Sequence, residues 1–154
     1  MKDDNRCCIV AAYGRIGKSK NTQASSVNDL EQQFRAIAEQ HNWSITQFYY
    51  DGEKDQRSWN GLIANCKSEQ IDIVICTSIR CISQNFRKKI HVIRELSERE
   101  RPVGFWFEEQ SIFTLSKDGK LILTIMETVA EEESRQRSMI MKEYYRRKKD
   151  VKHE

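Results

Sequence analysis

Residues 12–19 read AYGRIGKS and follow the apolar run CCIVAAY. A small residue, four spacers and then Gly17-Lys18-Ser19 is the relaxed form of a phosphate-binding loop. In such loops backbone N–H groups cradle the phosphates and the lysine reaches the outer oxygens. A helix should open at the Gly-Lys-Ser, yet the following SKNTQASS lacks an apolar stripe. The loop also carries Arg15. A second basic cluster, Lys142-Glu-Tyr-Tyr-Arg146-Arg147-Lys148-Lys149, has two readings. It could bind the DNA backbone by counterion release, or it could be a solvated helix end whose cations suit the macrodipole. Cys81 is a nucleophile by residue type, but without an activating histidine a core or loop thiol is the plainer reading. Ser19 reads most simply as a solvated loop serine.

The remaining composition narrows the chemistry. Five cysteines with no Cys-x-x-Cys pair, and His41, His91 and His153 scattered along the chain, predict neither a disulfide framework nor a zinc site. Cys7, Cys8 and Cys76 lie in apolar runs and are expected to act as small core residues. No cofactor is implied. No apolar stretch is long enough to span a bilayer, and MKDDNR is too short and too charged for a targeting segment. A reduced cytoplasmic or nucleoid-associated location follows, with no membrane partner. The formal net charge of +3 permits nucleic-acid binding without demanding it.

These groups need elements to position them. With 154 residues, the chain suits a single core. Residues 7–13 read as a buried strand, and 14–26 as a long polar loop. Leu30, Phe34, Ile37 and Ala38 recur at helical spacing over 27–41. Residues 44–50 read as a strand closed by Asp51-Gly52. Trp59, Leu62, Ile63 and Cys66 mark a helix, 71–77 a strand, and Phe86, Ile90, Ile93 and Leu96 another helix. Arg101-Pro102 stops that helix before a strand at 103–107. Such alternation predicts an α/β fold with a mostly parallel four- or five-stranded sheet flanked by helices. From Gly119 a helical pattern runs unbroken to about Lys149, with Leu121, Ile125, Val129 and Glu132 on one line and Met139, Ile140 and Tyr144 further along. A helix that long outruns the core, so its end should project and its apolar residues need a partner. The expected organisation is 1–118 as the α/β unit, 119–149 as the long helix and 150–154 as a tail.

Several segments match one family in order and spacing. Tyr13-Gly14-Arg15-Ile16-Gly17 resembles the Tyr-x-Arg-Val-Ser motif of serine recombinases of the resolvase/invertase family. Residues 29–33, DLEQQ, resemble the Ser-x-x-x-Gln start of that family's first helix. Asp51-Gly52 followed by Arg57 matches the stretch carrying a further active-site arginine. Residues 72–85, DIVICTSIRCISQN, align without gaps to the strand and loop ending Asp-Arg-Leu-x-Arg-Asn. Asp118-Gly119-Lys120 and LILTIMETVAEEESRQR resemble the start of the long helix, with Ala130-Glu131-Glu132-Glu133-Ser134 at the usual Ala-x-x-Glu-Arg. The resemblance covers nearly the whole chain.

It implies a resolvase-like catalytic domain in DNA recombination or mobile-element biology. In that family a serine hydroxyl attacks a DNA phosphodiester, and arginines hold the phosphate and stabilise its developing charge. Carried across, Arg15 and Arg57 are present, but the nucleophile position is Gly17. The paired arginines fall on Cys81 and Gln84, and the preceding aspartate on Arg80. Each lost donor typically costs on the order of 10²–10³-fold in rate. The domain is therefore expected not to cleave DNA but to act as a DNA-associated or dimerising partner. Arg15, Arg57, Arg80, Arg146, Arg147, Lys148 and Lys149 are its expected DNA contacts. The long helix is expected to pair with a second copy or with an active recombinase. Two alternatives stay open: an active recombinase using shifted residues such as Ser19, and a small phosphate-loop nucleotide-binding protein.

Overall fold

The computed structural model describes residues 8–16, 27–52, 54–68 and 70–151. Strand β1 (Val10–Arg15) lies between the edge strand β2 (Ile45–Asp51) and the central strand β3 (Ile73–Cys76). Then come β4 (Gly104–Phe107) and the edge strand β5 (Ile112–Phe113). The first four strands run parallel, and β5 returns antiparallel to β4. Helices α1 (Val27–Gln40), α2 (Arg57–Lys67) and α3 (Phe86–Ser97) are the crossovers, and α4 (Lys117–Val151) closes the chain. This is the mostly parallel, helix-flanked sheet with a long terminal helix that the alternating periods predict.

Two cores result from covering the sheet on both faces. On one face α1 buries Leu30, Phe34, Ile37 and Ala38 against Val10, Ala12, Ile73 and Ile75. Gly14 lets it close, since a Cβ there would stand 3.2 Å from both Leu30 and Phe34 side chains. On the other face α2, α3 and the start of α4 pack Trp59, Leu62, Ile90, Ile93 and Leu123 over Ala11, Val74 and Phe105. At the amino edge Asp72 accepts from the Ile9 N–H at 2.8 Å and from both Arg101 Nε and Nη2, at 3.0 and 2.7 Å. That aspartate of the family-like segment thus stitches the sheet on the side away from the site.

Two local expectations are corrected. Strand β1 continues through Gly14 and Arg15, which pair with Tyr50 and Asp51, where a loop was expected. Cys8 is exposed, not core, because the strand begins only at Val10; Cys7 lies outside the described residues. The packed stripe of α4 is Leu123, Glu127 and Ala130. Leu121, Ile125 and Val129, the apolar line of the sequence pattern, are 62%, 53% and 50% exposed.

Glu127 is held in that stripe from α3. Its carboxylate accepts a hydrogen bond at 2.7 Å from His91 Nδ1 and pairs with Arg94, both on α3. Burial works against the charge, but hydrogen bonds from His91 and Arg94 outweigh it and hold the carboxyl below the usual range. The same hydrogen bond raises the His91 imidazole. A 35-residue helix is about 50 Å long. Beyond Ala130 none of its side chains described is buried, so the helix projects.

Candidate phosphate-facing site at the carboxyl edge

Four parallel strands end on one edge, and chain order reverses between β1 and β3. Open α/β sheets form their binding crevice at such a reversal. Arg15 is the last residue of β1 and reaches to both sides of the crevice. Its Nε donates to the Cys81 carbonyl at 3.0 Å and its Nη1 to the Gly52 carbonyl at 2.9 Å. It therefore bridges the loop after β2 to the 3₁₀ turn Ile79–Ile82 after β3.

Beneath it lies a buried network. Asp51, 1% exposed, ends β2. It accepts from Tyr13 Oη at 2.8 Å, from the Ser58 N–H at 2.8 Å and from the Trp59 N–H at 2.9 Å. One carboxylate thus caps α2 and ties it to β1. Burial first, then the bond to Asp51, pushes the Tyr13 phenol far above its usual range, so it stays a neutral donor. Burial likewise raises the Cys66 thiol to about 12 and Cys76 well above its ordinary value, so neither is a ready thiolate.

The sequence-predicted residues divide. Cys81 is buried and meets Arg15 through its backbone carbonyl. Gln84 accepts from Gln56 Nε2 at 2.8 Å, joining the start of α3 to the start of α2. Arg57 stands at the first turn of α2 with its side chain 91% exposed, forked on Asp55 at 3.1–3.3 Å. Arg80 turns to the far side, 3.9 Å from Glu109 in the loop after β4. Gly17, Lys18 and Ser19 lie outside the described residues. At the far end of α4, Arg146 and Arg147 pair with Glu143 at 2.8 and 3.2 Å, and Lys148 lies over the Tyr144 ring at 6.0 Å. Lys149 is exposed.

Sequence reasoning passed over Lys89. It falls within the apolar stripe of α3 and is 3% exposed. Its Nζ has no hydrogen-bond partner among the described residues and sits 5.2 Å from the Trp59 ring centroid. Burial, then the nearby Arg15 charge, lowers its pKa to about 8. The signal was present: a lysine three residues after Phe86 and four before Ile93 occupies a core-facing position.

An open, mostly parallel sheet with its cationic crevice at the strand reversal defines the general class. The family profile described as Resolvase, N terminal domain, matches residues 10–153, and the chain belongs to that family. No curated protein sequence matches significantly. Among solved structures it is similar to the N-terminal catalytic domain of TP901-1 integrase, at 22% identity and a TM-score of 0.67. That alignment covers 82% of this chain and 97% of the other. It is also similar to a resolvase family site-specific recombinase from Streptococcus pneumoniae, at 17% identity and a TM-score of 0.69, covering 88% and 94%. The nucleotide-binding alternative finds no support in these matches. Among the described residues no helix is long and apolar enough to cross a membrane.

Proposed function

We propose that this recombinase-type domain engages DNA and a second helix-bearing protomer, and does not itself break the strand. The carrying observation is Arg15, clamped between the Cys81 and Gly52 carbonyls, beside two positions, 81 and 84, whose side chains bring no charge. A lone guanidinium can orient a phosphate. Breaking the bond also needs a nucleophile and further charge on the oxygens. Gly17 carries no hydroxyl. Arg57 and Arg80, paired with Asp55 and Glu109, would exchange those partners for DNA phosphates, and residues 119–149 supply the DNA-facing and dimerising helix beyond the 1–118 unit. Exposed Met139, Ile140, Tyr144 and Tyr145 suit a partner helix, either a second copy or that of an active recombinase. The protein would act in the cytoplasm, nucleoid-associated when DNA-bound.

Gel-shift titration of a short duplex against salt tests the DNA arm. Binding should weaken steeply as salt rises. Replacing Arg146, Arg147, Lys148 and Lys149 by alanine should lower the slope of log K against log[salt] by up to ~0.9 per lost phosphate contact. A stable dimer with no duplex binding at low salt would instead make it a protein-binding regulator.

A further inference from the structure

Between α2 and α3 runs an open groove of about 580 Å³. Trp59, Ile63 and Val92 contribute apolar walls, and Gln56, Asn60, Lys67, Asn85, Lys88 and Lys89 supply every polar group among its described lining residues. Three are cations, three are amides and none is a carboxylate. Two buried polar atoms of this lining lack partners among the described residues: Lys89 Nζ and Gln56 Oε1. An uncompensated buried ammonium is destabilising, so its presence calls for a counter-charge. The Asp51 charge acts on Lys89 from within the fold, but that carboxylate already holds Tyr13, Ser58 and Trp59. Arg15 and Lys89 both raise the positive potential on this side of the crevice.

We propose that this groove is an anion site for a phosphate-type oxyanion, with Lys89 as its inner cation and Lys67 and Lys88 at its mouth. The lysine stem, with four rotatable bonds, lets the ammonium leave the Trp59 face and meet the anion. Gln56 accepts from a protonated phosphate oxygen or a bridging water. Its carboxamide also reaches Gln84, so occupancy is coupled to the loop after β3. The groove adjoins the Arg15 clamp, whose charge acts on Lys89, and it does not depend on DNA binding by α4. Its phosphate could be free in solution or belong to a DNA backbone.

The test is thermal unfolding of the full chain in sodium phosphate against sodium chloride of equal ionic strength. The wild type should gain a phosphate-specific rise in Tm. Lys89→Met should be at least as stable without phosphate and should lose that rise, with phosphate Kd weakened at least tenfold by ³¹P line broadening. The Lys67→Ala, Lys88→Ala double variant, altered only at exposed positions, should weaken it several-fold. No phosphate-specific rise in the wild type, or a full rise retained in Lys89→Met, overturns the proposal. Adding a short duplex separates the sources: displacement of bound phosphate supports the DNA backbone as occupant, and simultaneous binding supports free phosphate. Loss of DNA binding with the phosphate rise intact would count against the proposed function alone.

Discussion

Asp51→Ala should destabilise the domain by about 3–5 kcal/mol, read as a fall in the urea midpoint with unchanged m. The carboxylate is buried and satisfies three donors at once. Removing it strips the cap from α2, worth about 1 kcal/mol. It also leaves the Tyr13 phenol and the Trp59 N–H without their acceptor in a buried place, at about 1–3 kcal/mol each. Asp51→Asn keeps an acceptor and should lose roughly half as much. Tyr13→Phe combined with Asp51→Ala should be clearly less than additive, because both remove the same bond. A loss under ~1 kcal/mol in Asp51→Ala would mean that the network does not hold the crevice together.

Gly119→Ala should cost about 2–3 kcal/mol, although alanine ordinarily favours a helix over glycine by about 1 kcal/mol. Gly119 sits in the first turn of α4, with its N–H donating to Ser116 Oγ at 2.9 Å. A Cβ there would stand 1.7 Å from the Phe113 carbonyl oxygen and 2.6 Å from its carbon. Those are backbone atoms of β5, so either the strand or the helix start must move. The displacement should spread to the Glu127 lock and speed hydrogen exchange of amides 123–130. Neutral or stabilising behaviour of Gly119→Ala would show that the junction is looser than its geometry implies.

The parallel sheet and the face of α1 were legible because both rest on apolar periodicity. Leu30, Phe34, Ile37 and Ala38 meet the sheet with the expected spacing. The buried face of α4 was not legible, for a physical reason. Its packed stripe contains a carboxylate, Glu127, whose burial is made tolerable by His91 and Arg94 from another helix. Hydropathy counts that residue as outward, and the apolar line the pattern does show, Leu121, Ile125 and Val129, is exposed. Strand β5, two residues long, is too short for a period. It is held partly by Thr114, whose hydroxyl accepts from the Phe105 N–H at 2.8 Å. Arg15 was legible from its motif, whereas its two carbonyl partners come from loops distant in sequence. Lys89 was hidden by the reverse of the Glu127 problem: a charged residue inside an otherwise apolar stripe reads as an interruption of the pattern.

The central proposal is a recombinase-type fold that meets a phosphate without breaking it. The most direct measurement is a denaturing gel of the full chain after incubation with negatively supercoiled plasmid and short duplexes. The account predicts no covalent protein–DNA adduct from the wild type. It also predicts none from Gly17→Ser alone, because positions 81 and 84 still carry no arginine. A serine-linked adduct from the wild type, abolished by Ser19→Ala, would contradict it.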